Sequence, residues 1–385
     1  MTSRWLIVIL VGMISLLLII VKVEANLNSL RYGHGAILIN KKMYIYGGRK
    51  VNSTGDPYEM VNTNLINEFI ILDVSKSFKT DNPPWVVNNN NVNNPYLFNY
   101  GITSNGDDLM ILFGGISSNP DSSILWYCHT NSTLELQPST VNNEEIPSRT
   151  LFGGMTSDIN NTYIIGGADP LTPSSPSQGI ITIGLSSIES DIAISSFIRA
   201  NVASYDHTAT LLDGKVYIIG GVHNDVEYVD MSSIGVYNTK DSTWITWRAN
   251  GDIPDGRRAH RAIGYDNIII IHGGFGIEDN VNVDRNDLFK LDVSSLTWGK
   301  LDIAGQDPGA RYSHTFTLVG NHIIGTYGLS TTNASLSNIF ILDLNTLSWS
   351  NEYNPVSKNS SSSKLLLIVW AIIGRSRTRK IVTQE

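Results

Sequence analysis

An all-β chain folded as a six-bladed β-propeller with four antiparallel strands per blade is what the sequence predicts, and three observations carry that expectation. A hydrophobic run closing on a glycine pair recurs along the chain, the copies are spaced by about fifty residues, and histidines and tryptophans keep register with them. The runs are Met43-Tyr44-Ile45-Tyr46-Gly47-Gly48, 109–115 ending in Gly114-Gly115, Tyr163-Ile164-Ile165-Gly166-Gly167, 216–221 ending in Gly220-Gly221, and 268–274 ending in Gly273-Gly274. A degenerate sixth copy ends in Tyr327-Gly328. Successive second glycines are 67, 52, 54, 53 and 54 residues apart.

Each unit reads as four short strands. The first follows an Arg/His signature: His34, His207 and His260 stand 13 residues before the first glycine of their pair, and His314 stands 13 before Tyr327. Arg31, Arg257 and Arg311 each precede their histidine by three residues. The second strand is the run that ends in the glycines. A third apolar run follows at 69–74, 124–127, 180–185, 234–237, 288–293 and 339–344. The fourth strand carries Trp244, Trp298 and Trp349 in the last three units and Trp85 in the first, whereas the second and third units have no tryptophan there. A lone four-stranded sheet leaves both faces wet and is not stable. Stacking six around an axis buries those faces, with Gly-Gly allowing close backbone approach and positive φ and tryptophan offering a broad rigid face to the next blade.

Composition supports this and removes other classes. The chain has 385 residues, 42% of them hydrophobic, and a net charge of -8. That is too apolar for a disordered chain and too acidic for nucleic acid, whose phosphates need clustered Lys and Arg. Thirty-three glycines, sixteen tyrosines and Asn-rich turns such as Asn88-Asn89-Asn90-Asn91 favour sheet, and no long amphipathic helix pattern appears between about residue 30 and residue 355. With Cys128 the single cysteine, an intramolecular disulfide and a Cys-rich zinc site are both excluded. No phosphate loop, HExxH or Ser/His/Asp order is present.

The ends differ from the middle. Residues 5–21 are apolar or small after a short basic leader, and Val23 and Ala25 suit cleavage before Asn26, so 1–25 is expected to be a secretory signal or signal anchor. Sequons at Asn52, Asn131, Asn160, Asn333 and Asn359 agree with export. The propeller is expected over 26–356. Residues 357–385 form a Ser-rich spacer, a short apolar run and a basic tail. Ten apolar helical residues cover about 15 Å of a bilayer core roughly 30 Å thick, too little for a full anchor; membrane attachment through either end stays open.

These units resemble kelch repeats, the family built on Gly-Gly, then Tyr, then Trp six or seven residues later. The resemblance covers about residues 31 to 352 and is sharpest in units four to six. With the export signal, the Ser-rich stretch and the C-terminal apolar run, the arrangement is similar to fungal surface kelch proteins of the galactose oxidase-like type. That likeness implies two alternatives. One is a non-catalytic interaction module, a monomeric ring without cofactor or metal. The other is a secreted copper-radical oxidase, which needs two tyrosines and two histidines around copper and a tyrosine cross-linked to cysteine; only Cys128, in Trp126-Tyr127-Cys128-His129, offers one, and it falls on a third strand, where packing between sheets is expected. The four in-register histidines are expected to be structural.

Alternating strand direction puts the loops after the second and fourth strands on one face. The second-strand loops at 49–67, 117–123, 168–178, 222–233, 275–286 and 329–337 are the long and varied ones, where recognition usually resides. Units four and five each place acids beside an aromatic residue, so Asp225, Glu227, Tyr228, Phe275, Glu278 and Asp279 are the expected binding patch. Its acids suit a basic protein segment, a glycan, or a hard cation such as calcium.

Overall fold

The computed structural model describes residues 30–51, 64–88, 93–118, 124–141, 153–169, 172–176, 179–190, 192–200, 204–223, 227–279, 281–332, 336 and 338–355. The expected signal, the C-terminal tail, Asp225 and the sequons at Asn52, Asn333 and Asn359 lie outside the described residues.

Six antiparallel sheets form a closed ring, each with strands in simple chain order from axis to rim. Blade one is Gly35–Ile39, Lys42–Tyr46, Phe69–Asp73 and Trp85–Asn88; blade two is Gly101–Ser104, Leu109–Phe113, Leu125–His129 and Gln137–Val141. Blade three is Gly154–Ser157, Asn161–Ile165, Gly179–Gly184 and Ser195–Arg199, and blade four Thr208–Leu212, Lys215–Ile219, Ser233–Asn238 and Thr243–Arg248. Blades five (Arg261–Tyr265, Ile268–His272, Leu288–Asp292, Thr297–Leu301) and six (Thr315–Val319, His322–Thr326, Ile339–Asp343, Ser348–Ser350) complete it. The first strand of each blade touches that of the next, and Gly35–Ile39 meets Thr315–Val319 to shut the circle. A single 3-10 turn, Leu185–Ser187, is the only helix among the described residues.

The core consists of six wedges between blades. Successive side chains on a strand point to opposite faces, so one second strand feeds two wedges. Met43 and Ile45 pack against blade six with Ile324, Tyr327 and Ile341, while Tyr44 and Tyr46 pack against blade two with Met110 and Leu112. Ile269 and Ile271 likewise face blade four, and Ile270 faces blade six. Burial on both faces is why these strands read as unbroken apolar runs and not as alternation.

The four fourth-strand tryptophans each seal the wedge toward the preceding blade. Trp298 is buried and its indole N–H donates to Met231 O of blade four at 2.8 Å. Trp349 lies edge-on to Phe340 of its own blade and to His272 of blade five, Trp244 joins Tyr163 and Ile165 of blade three, and Trp85 stacks over Tyr327 of blade six at 6.5 Å. In blades two and three the same place is filled by Leu134 and Leu136, and by Leu185, Ile188 and Ala193.

Loops after second and fourth strands emerge together, as strand alternation predicts, and pair with each other there. Arg31–Tyr32 pairs with Arg49–Lys50 and Leu97–Phe98 with Ile116–Ser117, while single bridges join Tyr205 to Val222, Arg258 to Phe275 and Tyr312 to Leu329. Closure of the ring uses backbone hydrogen bonds as well as side-chain packing. Glu352–Tyr353 pairs antiparallel with Phe78–Lys79 of blade one, and Gly33 N–H donates to Ser313 O and Gly328 N–H to Arg31 O, both at 3.1 Å. Two sheets also exceed four strands, because Asn250–Gly251 runs beside the rim of blade five and Ile192–Ala193 beside that of blade two.

Candidate functional site

The repeat signature builds the frame beneath the loops. Arg257 is buried; it donates to the Gly273 carbonyl at 3.2 Å and grips the Asp287 carboxylate with both terminal nitrogens. Arg31 donates to Gly47 O and pairs with Glu68 through one terminal nitrogen, and Arg311 donates to Tyr327 O at 3.0 Å. Each arginine thus pins the carbonyl at the first glycine position, where the chain turns left-handed. The second glycine must be glycine. Gly274 has φ of 105°, and a Cβ there would sit 2.8 Å from His260 Cβ.

The histidines above them bridge blades. His34 Nε2 lies 3.0 Å from Thr326 Oγ1, His207 Nε2 lies 3.0 Å from Ile165 O, His260 Nε2 lies 3.3 Å from Thr208 Oγ1, and His314 Nε2 meets His272 Nδ1 at 3.0 Å. All are buried, and burial holds their pKa values below the usual range, to about 4 for His207 and about 3 for His272, with nearby arginine charge adding to it for all but His207. Neutral rings spent on inter-blade hydrogen bonds agree with the structural role expected.

On the loop face, blades four and five are joined by the segment 253–258. Gly256 lies against Tyr228 on one side and Gly276 on the other, and the extended hairpin Phe275–Glu278 with Val281–Asp284 rises beyond it. Phe275 corrects the expected patch: it is 6% exposed, packed with Ala259 and Tyr312 beneath the Arg258 guanidinium, so it anchors the hairpin and does not face a partner. Tyr228 is half-buried against Ala168, Tyr205 and Val222, and its hydroxyl pKa is raised by burial. Glu227, Glu278 and Asp279 are exposed.

The face is not the simple acidic surface that the sequence suggests. Arg285 bridges Asp255 at 3.2 Å and Glu278 at 3.4 Å, and Arg258 approaches Asp206 at 3.8 Å. Alternating charge of this kind, with Ile277 and Val281 exposed on opposite faces of the hairpin, suits a mixed protein surface better than calcium; among the described residues no group of three His, Cys, Asp or Glu side chains could hold a metal ion. Sequence reasoning missed Arg258 and Arg285. The signal was present in Arg257-Arg258 and in the Asp284-Arg285 pair, whose basic members were outweighed by the neighbouring acids.

Cys128 sits in the wedge between blades one and two with Tyr44, Tyr46, Met110 and Leu112, where burial pushes its thiol up to about 12. The Tyr46 hydroxyl there is committed to the Pro95 carbonyl. That is a packing position, away from the axial histidines an oxidase centre would draw on. Asn131 and Asn160 are exposed on loops, the Asn131 amide donating to Asp108 Oδ2 at 2.7 Å.

Six radial four-stranded sheets with an Arg, His and Gly-Gly frame define a β-propeller that presents loops from a stiff ring. The Attractin/LZTR1 beta-propeller family matches residues 19–277, more than half the chain, and the KLHDC2/KLHL20/DRC7 Kelch-repeats domain matches residues 205–374. The chain belongs to the kelch-repeat β-propeller family. Relatives include Kelch domain-containing protein 3 of Rattus norvegicus, 25% identical over 308 residues covering 76% of each chain. Tip elongation aberrant protein 1 of Schizosaccharomyces pombe is 31% identical over 136 residues, 35% of this chain and 12% of that one, and Host cell factor of Drosophila melanogaster 26% over 177 residues, 38% and 11%. These matches bear out the kelch resemblance and do not show the narrower galactose oxidase-like one.

Proposed function

We propose that this chain is a non-catalytic interaction module that engages a protein partner through the loop face of blades four and five. The observation that carries the reading is the hairpin over 275–284. Its root is held by the buried Phe275 ring and by Arg285, and its exposed end offers Ile277, Val281, Glu278 and Asp279 on a packed base. Rigid presentation of mixed apolar and charged groups lowers the ordering cost of binding. Export is part of the same proposal, supported by the apolar run at 5–21 and by exposed sequons at Asn131 and Asn160; a glycan in place of a protein is the alternative ligand.

The test uses the full chain collected from the medium of secreting eukaryotic cells. Absence of the chain from the medium would remove the export reading. A tagged wild-type chain is compared with Ile277→Ser/Val281→Ser and with Glu227→Ala/Glu278→Ala in partner recovery. Both pairs are expected to lower recovery at least tenfold with an unchanged melting midpoint. Recovery equal to wild type for both would refute the assigned surface.

A further inference from the structure

The first residues of the six inner strands are Gly35, Gly101, Gly154, Thr208, Arg261 and Thr315. Five are small and uncharged. The blade-five copy is an arginine, and with its neighbours it lines an axial cavity of about 200 Å³. Cavities of roughly 150 Å³ already hold a benzene ring, so a small molecule fits.

Arg261 is the one permanently charged side chain of that lining, which contains no carboxylate. Its Nε donates to the His314 carbonyl, which fixes the plane of the guanidinium. Among the described residues the side chain makes no ion pair and no other hydrogen bond. The neighbouring arginines differ: Arg257 is clasped by Asp287, Arg258 approaches Asp206, and Arg285 bridges Asp255 and Glu278. Burial pushes the Arg261 pKa down, with Asp206 opposing from a distance. The same charge helps to keep His34, His260 and His314 neutral, so they bring no second cation. A confined cation without a counter-charge is costly, and a guanidinium is shaped to take an oxyanion through paired N–H groups.

We propose that the axial cavity is a binding site for a small oxyanion, carboxylate or phosphate, seated on the terminal nitrogens of Arg261. The site is separate from the hairpin of blades four and five, and neither reading depends on the other.

The experiment follows the melting midpoint of the full chain in rising inorganic phosphate, at ionic strength held constant with chloride. A saturable rise is expected for wild type, and its loss in Arg261→Gln, which stays polar but removes the charge and the paired N–H groups. An equal rise in Arg261→Gln would mean an adventitious ion only, and no rise in wild type would equally overturn the site. Should Arg261→Gln fail to fold, Arg261→Lys keeps the charge and loses the paired N–H fork; phosphate affinity is expected to weaken at least tenfold, and an unchanged value overturns the proposal. A terminally blocked peptide with one aspartate separates the sources of the anion. A rise with phosphate alone assigns a free anion, and a rise with both admits an acidic side chain of a partner.

Discussion

Tyr327 shows what a single residue contributes and what its sequence context reveals. It occupies the place of a glycine at φ 49°. A side chain in that conformation costs about 1–2 kcal/mol. Its ring, however, is 2% exposed, lies edge-on to His34 at 5.4 Å, stacks beneath Trp85 and sits 5.7 Å under the Arg31 guanidinium, all across the seam that closes the ring. Removing a buried aromatic side chain costs about 3–5 kcal/mol, so packing outweighs backbone relief. Tyr327→Gly, although it restores the repeat consensus, is expected to lose about 2 kcal/mol of stability in urea denaturation; a stabilised variant would show that the ring closes without this contact. Register counted from His314 revealed the substitution, but the compensating partners lie some 240 to 300 residues away in the chain.

At the scale of elements, the seams between blades rest on neutral histidines. His34, His207, His260, His272 and His314 have folded pKa values below the unfolded value near 6.5. Above pH 6.5 neither state takes up the proton and these groups leave stability independent of pH. Below it the unfolded chain binds protons that the folded chain refuses, so stability falls with pH, for His207 down to about 4 and for His272 to about 3. Each such histidine adds about 1.4 kcal/mol per pH unit to the slope. Urea midpoints are therefore expected to hold from pH 8 to 7 and to drop steeply between pH 6 and 4.5, and His207→Gln, if it folds, to flatten that drop. A level profile through this window would contradict neutral seam histidines. The equivalence of His34, His207, His260 and His314 was legible from the 13-residue offset, whereas the partner of each was not, because it belongs to the neighbouring blade.

Across the whole molecule, stability depends on one closing seam, since every other pair of blades is also tied through the chain. Tyr353 is buried there, packs its ring at a tilt against Phe78 and donates its hydroxyl to Val74 O at 3.0 Å. Tyr353→Ala is expected to lower the melting midpoint by several degrees and to speed amide exchange at Gly33 and Gly328, which bond across the seam. Exchange unchanged at both glycines would mean that the inner strands alone hold the ring.

Blade number, strand order, the shared loop face and the packing role of Cys128 followed from the sequence by itself. Periodicity, runs buried on both faces and glycine spacing are local properties repeated six times, and repetition makes a local pattern global. Tertiary structure alone decided which residues of the face are accessible and which charges stand alone. It sank Phe275 into the scaffold, neutralised Glu278 with Arg285 and left Arg261 facing the axis without a carboxylate. Exposure and ion pairing depend on side chains from different blades meeting at one point, and one-dimensional spacing carries no record of that meeting.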